Sequence, residues 1–126
     1  MSWTFQITTG KILTPQSQLL GVGYSGNGSS LNNPLDARLR GHGPIPPGSY
    51  TMGPWYDDPP GPASKGPKVT RLIPDPTNRM YGRDAFMVHG DNDAMNHTAS
   101  DGCIVAAHAY RAEISISPDQ RLEVID

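Results

Sequence analysis

Trp3-Thr4-Phe5-Gln6-Ile7-Thr8 alternates apolar and polar side chains, the two-residue period of a strand with one buried face. Thr9-Gly10-Lys11 reads as the turn into a second strand at Ile12-Leu13, and Leu19 to Tyr24 reads as a third. Val69 to Ile73 and Ala85-Phe86-Met87-Val88 read as further strands, and Leu122-Glu123-Val124-Ile125 as a closing one. Fourteen Gly and thirteen Pro in 126 residues leave little uninterrupted chain for long helices. The expected fold is therefore mainly β, a barrel-like or sandwich sheet with one or two short helices, in one domain spanning 1–126.

The connections carry their own information. Ser25 to Asn33 is rich in Gly, Ser and Asn and reads as a loop ended by Pro34, with a short helical turn around Leu35 to Leu39. Gly43-Pro44-Ile45-Pro46-Pro47-Gly48 is a stiff turn into Ser49-Tyr50-Thr51-Met52, because proline presets φ and Gly48 permits a sharp bend. Gly53 to Pro67 holds five Pro and three Gly, too many for regular structure, so a long surface loop or lid is expected. The run Ile104 to Ile114 after Cys103 is the best helix candidate, over part of its length.

Several function classes fall away on composition. The formal net charge is −2 and no window is densely basic, which argues against a nucleic-acid partner. No apolar run approaches the length of a membrane span. Met1 to Gln6 shows neither the charged nor the apolar region of a signal peptide, so the expectation is synthesis in the cytoplasm and delivery by other means. With one cysteine, an intrachain disulfide is impossible, and the thiol is buried filler, an intermolecular partner, a ligand or a nucleophile.

Chemistry concentrates in His89-Gly90 and Ser100-Asp101-Gly102-Cys103-Ile104. A thiol at its free pKa is mostly protonated at neutral pH, so a catalytic cysteine needs help. His89, at a strand end, offers a base; a helix starting just after Cys103 would aim its positive end at the sulfur; Gly102 allows a tight turn whose N–H groups could form an oxyanion hole. On residues alone, a structural histidine and a buried thiol remain equally open. His89, Asp91, Asp93 and His97 also suggest a metal site, and Asp91-Asn92-Asp93 faintly echoes a calcium loop. The glycine and distal glutamate of such a loop are missing, so no metal and no cofactor is expected. Asp91 and Asn92 read as rim residues beside His89, Trp55 and Tyr56 as possible lining of a substrate groove, and His42 and His108 as structural or surface groups.

Taken together, these motifs resemble the L,D-transpeptidases, in which His-Gly precedes a Ser/Thr-His-Gly-Cys box. Pro46-Pro47-Gly48-Ser49-Tyr50-Thr51 looks like the turn and strand upstream of that box. Trp3-Thr4-Phe5, Asn32-Asn33-Pro34, Gly43 to Gly48, Phe86 to Asp91 and the final Leu122 to Ile125 are similar to small L,D-transpeptidase-related effectors of type VI secretion and their phage relatives. The chain departs from the wall-building enzymes at Asp101, where they carry histidine, and at Val105-Ala106, where Asn or Arg often follows the box.

The resemblance implies an L,D-transpeptidase-like fold and a peptidoglycan stem tetrapeptide as substrate. Cys103 is then the nucleophile, His89 its base, Gly90 the carbonyl that orients the imidazole, and Gly102 part of the Cys turn. Asp91, Asn92, Ser100, Asp101, Tyr50 and Trp55 are expected on the substrate side. The implied setting is the periplasm of a target cell, with secretion components and an immunity protein as possible partners. It also implies an activated thiol, alkylated faster than a free one. The rivals are a metal-dependent wall hydrolase using His89, Asp91 and His97, and a wall-binding module without activity.

Overall fold

In the computed structural model, which describes residues 1–62, 64–91 and 100–126, nine strands and one α-helix build the fold. The strands are β1 (Trp3–Gln6), β2 (Lys11–Leu13), β3 (Leu19–Val22), β4 (Tyr24–Ser25), β5 (Gly48–Met52), β6 (Thr70–Pro74), β7 (Met87–His89), β8 (Ile104–Val105) and β9 (Arg121–Ile125). The helix is α1 (His108–Ser115), and Gly28–Ser30 and Pro34–Asp36 form single 3₁₀ turns. The fold is mainly β, as expected.

The sheet runs β3-β2-β1-β9-β5-β6-β7-β8-β4. Its two outermost strands, β3 and β4, are consecutive in sequence and separated only by Gly23, so the sheet curls into a nearly closed barrel. Gly23 sits at this seam. Its N–H donates to Gly10 O at 2.8 Å, and a Cβ on it would stand 2.3 Å from Val105 O. No larger residue lets the two ends approach so closely.

The alternating pattern at the N-terminus does what its period requires. Trp3, Phe5 and Ile7 are buried, and in parallel register with them Leu122 and Val124 of β9 enter the same core. Ile12, Ile45, Tyr50, Met52, Leu72, Phe86, Val88, Ile104, Ala106 and Ile114 complete it. Tyr50, expected on the substrate side, lies in the core. It is 1% exposed, its hydroxyl donates to Pro46 O at 2.7 Å, and burial pushes its phenol pKa well up.

The region after Cys103 differs from expectation. Ile104–Val105 form a strand, and the helix begins only at His108. Two β-branched residues beside a waiting strand edge satisfy their backbone in the sheet, so only the later part of the run is helical. The N-terminus of α1 is thus five residues beyond Cys103, and a helix dipole acts mainly within its own first turn.

Candidate active site

Strands β7 and β8 pair in parallel, with Val88 opposite Ile104 and His89 opposite Val105. Side chains alternate along both strands. Val88 and Ile104 enter the core, so His89 and, by extension of the register, Cys103 emerge from the opposite, outer face. They lie diagonally across neighbouring strands, with Cα atoms about 8 Å apart by strand spacing and rise, within reach of two converging side chains. The thiol itself is turned away from the ring. Cys103 Sγ donates to Ala85 O at 3.9 Å and receives the Met87 backbone N–H, and no hydrogen bond joins it to the imidazole.

His89 is 3% exposed. Its Nδ1–H donates to Gly90 O at 2.7 Å, which leaves Nε2 with the basic lone pair. Gly90 is held in turn: its N–H donates to Lys65 O at 3.0 Å in the Pro/Gly-rich loop, and a Cβ on it would meet the Arg111 guanidinium at 2.6 Å. The loop is ordered from within, as Lys65 N–H donates to Asp58 Oδ2 at 2.7 Å and Tyr56 bridges to Val69. It reaches the His89 end of β7 as a lid.

The Cys box is tied down by groups the sequence suggested for substrate. Ser100 is fully buried, and its hydroxyl accepts from Gly26 N at 2.9 Å and Gly102 N at 3.0 Å while donating to Cys103 O at 2.6 Å. One donor and two lone pairs are all committed, so Ser100, expected on the substrate side, ties the Cys box together here. The Gly102 N–H is consequently occupied, and Gly102 O accepts from Ser25 Oγ at 3.0 Å, so an oxyanion must find other donors. What Gly102 contributes is space: at φ +139°, a Cβ would lie 2.4 Å from Arg83 Nη2 and 2.8 Å from the Phe86 ring.

Arg83 is the main residue that the sequence did not reveal. It is 6% exposed, stacks on Phe86 at 5.0 Å, and donates to the carbonyls of Ala37, Gly43, Pro44 and Asp101. One guanidinium thereby joins the turn after Pro34, the Gly43 to Gly48 turn and the Cys box. Nothing in the local sequence signals this, because its acceptors come from three distant segments. Arg83→Ala strips four carbonyls, three of them buried, of this donor and is expected to cost about 3 kcal/mol, read from the urea midpoint. Arg83→Lys should recover less than half, since an ammonium cannot reach all three segments at once.

The remaining residues fall on both sides of expectation. Asp91 accepts from Tyr24 OH at 2.8 Å beside His89, and Asp101 is exposed at the rim, accepting from Asn27 at 3.3 Å. Trp55 packs against the core and spends its indole N–H on Gln120 at 2.7 Å, so it anchors the lid and its polar group is not available to substrate. His42 and His108 are exposed, and His42 Nδ1 bonds Asn27 Oδ1 at 3.1 Å, while the Asn27 amide also donates to Ser100 O at 2.8 Å. Asn92, Asp93 and His97 lie outside the described residues, and among the described residues no three metal-binding side chains cluster.

The electrostatics correct the picture of an activated thiolate. Burial raises the Cys103 pKa first, opposed by the Met87 N–H and by Lys65, while Asp101 raises it further and Arg83 lowers it. Burial lowers the His89 pKa, aided by Lys65 and Arg111 and opposed by the Gly90 hydrogen bond and Asp91. The resting pair is thus neutral thiol and neutral imidazole. Alkylation of Cys103 by iodoacetamide is expected to be slower than that of a free thiol at neutral pH, and to keep rising above the ordinary thiol pKa. Stability follows by linkage. The unfolded chain binds a proton on His89 that the native state does not between the depressed and the ordinary imidazole pKa, so acidification through that window destabilises. Above the ordinary thiol pKa the unfolded chain ionises Cys103 first, so rising pH also destabilises. Melting temperatures measured against pH should fall at both ends.

Comparison with known proteins gives one match. A family model described as the Tlde1 domain matches residues 21–118, a span that runs from within β3 through α1 and includes His89 and Cys103. No curated protein and no solved structure matches the chain.

Proposed function

This chain belongs to the Tlde1 domain family, the L,D-transpeptidase-type effector domain of type VI secretion, and on that premise we propose that it is a cysteine enzyme acting on peptidoglycan stem tetrapeptides. The observation that carries the reading is the parallel pairing of β7, which ends at His89, with β8, which Cys103 immediately precedes, Nδ1 being tied to Gly90 O and Nε2 left basic. A base within reach of a nucleophile, and a third group fixing the tautomer of that base, is the general form of nucleophilic acyl transfer.

The steps follow from those roles. Rotation of the Cys103 side chain away from Ala85 O brings Sγ toward Nε2, which takes the thiol proton. The thiolate attacks the carbonyl carbon joining the third residue, a diamino acid, to the terminal D-alanine. The tetrahedral adduct collapses with cleavage of the C–N bond, and His89 returns the proton to the departing amine. Water attacking the thioester, with His89 again as base, releases a tripeptide; the amine of a D-amino acid gives exchange, and a stem-peptide amine gives a cross-link. The neutral resting pair suits this course, since His89 is ready as a base without prior ionisation of the thiol.

The proposed place of action is the periplasm of a target cell, reached through a secretion system, and an immunity protein is a proposed partner. Among the described residues no helix is long and apolar enough to cross a membrane. The test is mass spectrometry of purified muropeptides incubated with the protein, with and without an added D-amino acid and with and without EDTA. Loss of D-alanine from tetrapeptides, or its exchange, is expected whether or not EDTA is present. Unchanged tetrapeptides would overturn the reading, and activity abolished by EDTA would favour the metal hydrolase.

A further inference from the structure

The lid places one cation over the site that nothing in the mechanism uses. Lys65 is half-buried, and its backbone is pinned on both sides: its N–H donates to the Asp58 carboxylate at 2.7 Å, and its carbonyl accepts from Gly90 N at 3.0 Å. Asp58 on the same loop meets Lys65 through the backbone N–H, and the ammonium has no ion-pair partner among the described residues. Against the same loop lies a second cation with no ion pair among the described residues. Arg111 is 3% exposed and donates only to Ala106 O at 3.3 Å, with its Nε buried and unbonded. Its guanidinium packs against both Gly66 and Gly90, so a Cβ on Gly66 would lie 3.4 Å from Nη2.

Two cations with no ion pair among the described residues therefore flank the His89 end of β7. Lys65 influences both reactive groups. At the sulfur its charge outweighs the opposing Asp101 carboxylate, and at the imidazole it outweighs Asp91. Desolvated cations are costly to leave unpaired, and an anion arriving between lid and strand relieves that cost. A stem tetrapeptide brings such an anion: the free α-carboxylate of its terminal D-amino acid sits one residue beyond the carbonyl that Cys103 attacks.

We propose that Lys65 is a specificity-determining residue that holds the terminal carboxylate of the leaving D-amino acid, with the buried Arg111 charge supporting it from below. The proposal rests on the tetrapeptide reading above. It makes the enzyme an exopeptidase by electrostatics: a chain continuing past the fourth residue, or capped as an amide, offers no charge for Lys65 to meet.

The test separates this assignment from the reading it rests on. Cys103 is alkylated in parallel with iodoacetate, which carries a carboxylate, and with neutral iodoacetamide, and the two rates are expressed as a ratio. At low salt the wild-type ratio is expected to exceed that of N-acetylcysteine amide several-fold. It should fall about fivefold in Lys65→Met, return in Lys65→Arg, and decline in about 0.5 M salt. An unchanged ratio in Lys65→Met would overturn the proposal whether or not the protein acts on peptidoglycan. The second arm compares a tetrapeptide acid with its C-terminal amide. The wild type should prefer the acid by about tenfold or more in kcat/KM, and Lys65→Met should lose that preference mainly through KM. Equal use of acid and amide by the wild type would also overturn it. A strong iodoacetate preference with neither peptide processed would uphold the anion site and reject the tetrapeptide reading.

Discussion

Cys103→Ala is expected to abolish every muropeptide change while leaving the fold intact. The thiol is half-buried, and its side chain makes only weak contacts, donating to Ala85 O at 3.9 Å and facing the Met87 N–H. The groups that shape its loop belong to other residues: the Ser100 hydroxyl on Cys103 O and the Arg83 guanidinium on Asp101 O. Removing one sulfur should therefore shift stability by about 1 kcal/mol or less, too little to unfold the domain. The cellular readout follows. Wild-type protein fused to a periplasmic signal peptide should make cells swell or fail to divide, because consuming or capping tetrapeptide donors removes the acyl groups that cross-linking needs. The same protein held in the cytoplasm should be harmless, and the alanine variant should be silent in both compartments at equal protein level. Equal toxicity of variant and wild type in the periplasm would leave only a binding module.

His89→Ala should lower turnover by a factor on the order of 10² or more, the usual contribution of a positioned base. Because the ring is buried, the truncation also leaves a cavity, and a loss of folding could imitate a loss of chemistry. His89→Asn removes the ambiguity. Its amide can still donate to Gly90 O, which holds the turn at the end of β7, yet it offers no basic nitrogen in place of Nε2. Comparable inactivity in a variant whose urea midpoint stays near wild type would assign the loss to proton transfer. The wild-type pH–rate profile should carry an acid limb below the ordinary imidazole pKa, since burial and the Lys65 and Arg111 charges depress His89. A His89→Asn variant that keeps both the rate and the acid limb would show that some other group is the base.

The architecture was legible to the extent that it depends on local periodicity. Trp3, Phe5 and Ile7 announce a half-buried strand, and Leu122 and Val124 another, because a period of two matches the pleat of a strand and not the turn of a helix. Ile104–Val105 shows the limit of that reasoning. A short apolar run suits a helix or a buried strand equally, and the choice was made by the exposed edge of β7, which the sequence does not display. The same limit governs the polar residues. Ser100, Tyr50 and Trp55 look like substrate groups while their partners are unknown; once Gly26, Gly102, Pro46 and Gln120 arrive from elsewhere in the chain, their polar groups are spent.

By itself, the order of residues determined which side chains can do chemistry here: a single thiol, a histidine followed by glycine, and a glycine before the thiol. Those are matters of covalent identity and short-range geometry, and they survive in any fold the chain adopts. Only the tertiary structure decided how these groups stand to one another. The parallel pairing of β7 with β8 brings His89 beside the strand that follows Cys103, and burial shifts both groups toward their neutral forms. The roles of Arg83, Lys65 and Arg111 are also tertiary, since a buried cation takes its function from the carbonyls and charges that distant segments bring to it, and no local pattern encodes those.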